Sequence, residues 1–112
     1  MNHHFTTVKE LPDSEKPYEK FLISGVESLS DAELIAVIIR SGTRGTRSVE
    51  VAQELLRQDG HDLLNLYTLS VQDMQKIPGI GQVKAVKIKC LVELSRRLAM
   101  SDAFDRLQFT RP

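Results

Sequence analysis

The sequence predicts an all-α fold: a compact helical bundle of two similar helical units joined by a short helix. Three observations carry this. Apolar residues recur at helical spacing, and no strand-like alternation occurs. Ser30 with Glu33, and Ser70 with Asp73, have the serine-then-acid spacing of a capping box that opens a helix. Both boxes belong to a repeat. Leu29-Ser30, Glu33-Leu34 and Val37 match Leu69-Ser70, Asp73-Met74 and Ile77 at a constant offset of 40. One such unit buries too little apolar surface alone, whereas two packed about a pseudo-twofold share a core.

Residues 1–16 are polar and irregular and read as a tail or strap. Pro17 suits the first position of a short helix running to Ser24, with Gly25 beyond its end and Phe21 and Leu22 as its buried residues. The next helix follows Ser30 and carries Leu34, Ile35, Val37, Ile38 and Ile39 before ending at Ser41-Gly42. After the Thr43-Arg44-Gly45-Thr46-Arg47 loop, Ser48 is placed to cap a helix from Val49 to Gln58, closed by Gly60. A short helix over 61–67 joins the units. Ser70 opens a helix that ends at Pro78, and a long helix spans 82–98. Residues 17–100 thus read as the folded unit, and 101–112 as a linker without periodicity.

The chain has 112 residues, 41% of them apolar and only 5% aromatic, with no Trp, so the core must be aliphatic. No apolar run approaches the roughly 20 residues that span a bilayer, and no signal segment is present, so the expected setting is cytoplasmic, without a membrane. The single cysteine, Cys90, excludes an internal disulfide and reads as a small buried hydrophobe. Net charge is zero but unevenly spread. Residues 1–75 hold 7 basic and 12 acidic groups, a net of −5, and residues 76–112 hold 8 and 3, a net of +5. The basic half suits a polyanionic partner, or faces the acidic half of the same molecule.

The stretch Ile77-Pro78-Gly79-Ile80-Gly81 is the chemical centre of the sequence. Glycines tolerate positive φ and let the backbone approach a ligand with no Cβ in the way. The helix that starts directly after presents unpaired N–H groups and the positive end of its dipole, which together form an anion site. The pattern resembles a helix–hairpin–helix motif, and the chain reads as two such units, the first with a longer turn lacking Gly-x-Gly. The candidate phosphate-binding residues are Gly79, Gly81 and Val83 through backbone N–H groups, Ile80 as inward anchor, and Lys84 and Lys87 as nearby charges. The same turn also reads as a plain helix–helix connector. Lys89, Arg96 and Arg97 fall on another arc and read as a solvated face.

His3, His4, His61 and Cys90 make no metal set, and no catalytic constellation is present. Ser30 and Ser70 are cappers. The loop from Arg40 to Arg47 reads as a second phosphate contact, a partner-docking loop or a solvated connector.

Taken together, Leu11-Pro12, Glu15 to Leu22, Leu29 to Leu34, Ile39 to Gly45, Ile77 to Gly81 and Leu94 to Arg97 resemble the N-terminal region of the RadC family of bacterial proteins, often labelled DNA repair proteins. The resemblance covers about residues 8–100. It implies a DNA-binding-type fold and non-specific DNA as partner. It also implies a further C-terminal JAB/MPN-type metal-dependent domain with a His-x-His that this sequence lacks, so no enzymatic activity carries over. That domain is the second expected partner, and the segment alone is expected to be a monomer. In hairpins of this type, carbonyls at the positions of Gln75, Ile77 and Ile80 can hold a monovalent cation; no other cofactor is expected.

Overall fold

The computed structural model describes residues 16–40, 48–103 and 106–107, and every described regular element is helical. The helices are α1 (Pro17–Ser24), α2 (Asp31–Ile39), α3 (Ser48–Arg57), α4 (Leu64–Thr68), α5 (Val71–Gln75) and α6 (Gln82–Ala99). Single 3₁₀ turns at Val26–Ser28 and Gln58–Gly60 link α1 to α2 and follow α3. The expected tail (1–15) and the loop over 41–47 lie outside the described residues. Residues 102–103 and 106–107, expected to trail off, are helical.

The two halves of the repeat begin alike. The Ser30 hydroxyl accepts the Glu33 N–H (3.2 Å) while the Glu33 carboxylate accepts the Ser30 N–H (2.8 Å). Ser70 and Asp73 do the same at 3.0 and 3.5 Å. The two cap backbones agree to a few degrees, with φ/ψ of −72/168 and −75/167. The halves then diverge. α2 runs to Ile39, whereas α5 stops at Gln75, short of the expected Pro78. Pro78 has no N–H to give the Met74 carbonyl, so that carbonyl takes the Ile77 N–H instead, at 3.0 Å, and the helix tightens and ends.

α2 packs chiefly on α3, and α5 on α6, with α2 and α4 also against α6. The shared core is Ile35 and Ile39 from α2, Ala52 and Leu55 from α3, Met74 from α5, Ile77 and Ile80 from the turn, and Ala85 and Ile88 from α6. It is aliphatic, as composition requires, and draws on both halves of the repeat.

α1 lies to one side. Phe21 and Leu22, expected to be buried, are 41% and 65% exposed, because α1 meets α2 through polar groups. Lys20 reaches Glu33 at 3.1 Å, and the Arg40 guanidinium lies 4.6 Å from the centre of the Tyr18 ring. Ser48, expected as a cap, is the first helical residue of α3 and is buried. α4 begins at Leu64, not His61, because Asp62 adopts a left-handed φ of 51°, as Asp59 does at 55°. Aspartate tolerates that region better than most residues, and helical propagation halts there.

Two side chains hold helix ends that sequence spacing did not mark. Asn65 is 1% exposed, and its amide donates to the carbonyls of Leu55 (2.9 Å), Leu56 (3.3 Å) and Gln58 (2.6 Å), where α3 ends. Two amide protons serve three carbonyls, so at least one is shared. Lys89, read from sequence as solvated, extends from α6 to the carbonyls of Leu66 (3.3 Å), Tyr67 (2.7 Å) and Leu69 (3.0 Å) at the end of α4. Three ammonium protons meet three carbonyls, at the end of a helix where positive charge is favoured.

Two predictions follow from these contacts. Asn65→Ala strands buried carbonyls and is expected to cost about 2–4 kcal/mol in urea unfolding at unchanged slope. The second concerns Glu33. Burial pushes its carboxyl up, but the Ser30 N–H and the Lys20 ammonium outweigh burial, and the net pKa lies below the usual 4.5. The folded state therefore binds fewer protons than the unfolded chain. The stabilisation is fully present above about pH 4.5 and is lost as pH falls through the lowered folded value. Glu33→Gln should flatten the acid limb of the melting temperature measured against pH.

Candidate phosphate-binding turn

Between α5 and α6 the chain reverses over residues 76–81. Ile77 and Ile80 point into the core, 5% and 3% exposed, so Pro78, Gly79 and Gly81 stand outward. Ile80 thus anchors the turn as expected, and its N–H is occupied on the Ile77 carbonyl (3.0 Å). The N–H groups of Gly79 and Gly81 form no hydrogen bond among the described residues. The first backbone bond across the start of α6 runs from Ala85 N to Gly81 O (3.1 Å), so the N–H groups of Gln82, Val83 and Lys84 lie ahead of it. Unpaired donors and the positive end of an 18-residue helix therefore lie together at this exposed turn.

The two glycines differ in what they permit. Gly79 has φ 98°, and a Cβ built on it would lie 2.6 Å from Val51 Cγ2 on α3. Gly81, expected to be strained in the same way, has φ −92° and ψ −172°, an extended backbone open to any residue, and a Cβ there meets nothing within 4 Å. One left-handed residue is enough to reverse the chain, so the second glycine follows in relaxed geometry.

Lys84 Nζ donates to the Gly79 carbonyl at 3.3 Å, spanning the turn from the first turn of α6. It braces the loop and keeps its charge beside the outward N–H groups. Lys87 is exposed one helical turn further on. Lys76, which sequence reasoning passed over, opens the turn with its ammonium 3.6 Å from Asp73. Its signal was its place directly before Ile77, inside the basic half. Lys89 does not join this cluster, because its three donors are spent on α4. Cys90, expected in the core, is exposed on α6. Of the carbonyls named for a cation, that of Ile77 already accepts the Ile80 N–H. Among the described residues no three His, Cys, Asp or Glu side chains gather in a metal-binding group.

Gly79→Ala should cost roughly 1–3 kcal/mol, since it combines a left-handed φ with a clash against a stiff β-branched side chain. Gly81→Ala should change stability by less than about 0.5 kcal/mol. Adding Val51→Ala to Gly79→Ala should remove the clash while leaving the φ strain, which a double-mutant cycle by urea denaturation resolves.

Comparison with known proteins gives the chain its relatives. A profile described as UPF0758 N-terminal matches residues 8–86. A UPF0758 protein of Staphylococcus carnosus is 38% identical over 105 residues, 94% of this chain and 46% of the relative. One from Chlorobaculum tepidum is 45% identical over 91 residues, 81% of this chain and 40% of the relative. One from Geobacillus kaustophilus is 43% identical over 99 residues, 88% and 43%. The chain thus spans less than half the length of these curated relatives. No solved structure matches. Among the described residues no helix is long and apolar enough to cross a membrane. The chain belongs to the UPF0758 family, which is the RadC family that its sequence resembles, and corresponds to the N-terminal region.

Proposed function

We propose that this chain is a non-catalytic, sequence-independent DNA-binding module of a RadC-like protein, its turn over 77–84 acting as the hairpin of a helix–hairpin–helix unit. The observation that carries the reading is the set of unpaired backbone donors at Gly79, Gly81, Gln82, Val83 and Lys84, at the exposed start of α6. Backbone N–H groups bind a phosphate oxygen without reading a base, so affinity is blind to sequence. Gly79 contributes the reversal of the chain and a free N–H, Ile80 the anchor, Gly81 and Val83 further donors, and Lys84 and Lys87 the surrounding charge. Lys84 acts partly through the turn, because its ammonium already holds the Gly79 carbonyl. Nothing in this role calls for a cofactor.

A second reading is a docking module for the remainder of the protein. It is favoured by α1 and the 3₁₀ turn after it, where Leu22, Ile23 and Val26 are 65%, 66% and 50% exposed and Tyr18 and Phe21 are exposed as well.

Duplex titration at several salt concentrations separates the two. The DNA-binding reading predicts dissociation constants on the order of micromolar to 0.1 mM, rising with salt and nearly equal for unrelated duplexes. Lys84→Ala should melt like the parent to within about 0.5 kcal/mol, weaken binding to every duplex alike and lower the salt slope by about one charge. No binding even at low salt would leave the docking reading standing.

A further inference from the structure

We propose that the exposed face of α6 is where two copies of this chain meet. Val86, Cys90, Leu94 and Leu98 follow one another at intervals of four, and so form a single row along the helix, the row that the commonest helix–helix packing interleaves. The row faces solvent: Val86 is 44%, Leu94 65% and Leu98 58% exposed, and Cys90 is exposed. The opposite arc carries Ala85 and Ile88 into the core, and beyond Ile88 no α6 residue is buried. That outer half is nevertheless a continuous helix. Glu93 accepts from Arg96 and Arg97 at 2.8 Å each, surface pairs that support a helix without tertiary contacts. The apolar row is thus displayed on a formed helix.

The exposed area of the row is what a weak dimer needs. Its exposed side chains amount to on the order of 400 Å² per copy, as large as the largest apolar patch on a typical monomer, where such patches are often functional. Two such rows, with the stems of Lys87 and Arg97 at their edges, bury on the order of 1,000 Å² together. That is the lower edge of specific interfaces, and it fits a weak, reversible dimer. The row is also balanced about Val92. Cys90 and Leu94 lie equally far on either side, as do Val86 and Leu98. A twofold axis there sets Cys90 of one copy against Leu94 of the other, with the same patch used on both. At the edge of the row, Glu93 offsets the charge of its two arginines, which limits repulsion between copies. The contact leaves the turn over 77–84 free, shares only the stem of Lys87 with the residues assigned to DNA, and departs from the monomer expected from sequence.

Sedimentation equilibrium of the 112-residue chain from about 5 µM to 1 mM tests it. The parent should pass from monomer to dimer with a dissociation constant on the order of 10–100 µM. Leu94→Glu should raise that constant at least about tenfold while keeping the helical circular dichroism and melting of the parent, since Leu94 is exposed. Leu22→Glu, on the apolar surface of α1, should dimerise like the parent. Alkylation of Cys90 should slow at high concentration in the parent and not in Leu94→Glu. A parent that stays monomeric at 1 mM, a dimer indifferent to Leu94→Glu, or one lost with Leu22→Glu instead would overturn the proposal. So would a monomer whose Cys90 is protected from alkylation only when the segment is joined to the remainder of a full-length protein, which would assign this face to that remainder.

Discussion

The contact between Gly79 and Val51 is the constraint on which the rest of the turn depends. α3 stands so close behind the loop that a single Cβ at Gly79 would come within 2.6 Å of a valine methyl. The backbone is therefore pressed on the body of the protein at the point where it reverses. Ile77 and Ile80 fix it from the inside. The two halves of the repeat thus contribute different things: α2 and α3 supply the wall, and α5 and α6 supply the turn set against it.

Short helices survive here because their ends are satisfied. α4 and α5 have five residues each, far below the length at which an isolated helix is stable. Ser70 closes the start of α5, Lys89 closes the end of α4, and Asn65 closes the end of α3. Asn65 and Lys89 act across the fold, from α4 to α3 and from α6 to α4. The polar contacts that finish the helices therefore also fix how they sit on one another. Lys89 is lost to ligand binding for that reason, although it lies only five residues beyond Lys84.

What was legible in the sequence was local. The helical class, the paired capping boxes, the inward Ile80 and the left-handed Gly79 all follow from spacing within a few residues, and each is found. The contacts that reverse a reading are tertiary. Nothing adjacent to Lys89 reveals that three carbonyls end nearby, and nothing adjacent to Asn65 reveals the end of α3. Cys90 misled because α6 is apolar on more than one arc, so composition alone does not say which arc faces the core. Gly81 was read as a partner of Gly79, whereas one positive φ suffices for the reversal. The candidate site kept its backbone donors and changed in its cations: Lys84 is tied to the turn, and Lys76 joins from the end of α5.

The proposed function rests on one claim, that peptide N–H groups rather than side chains would make the contact with DNA. Chemical-shift mapping of backbone amides during titration with a short duplex tests that claim most directly. The account predicts that the largest shifts fall on Gly79, Gly81, Gln82, Val83 and Lys84, with α1 and the outer half of α6 unmoved. Shifts confined to side chains or centred on α1, with the amides from Gly79 to Lys84 silent, would contradict it.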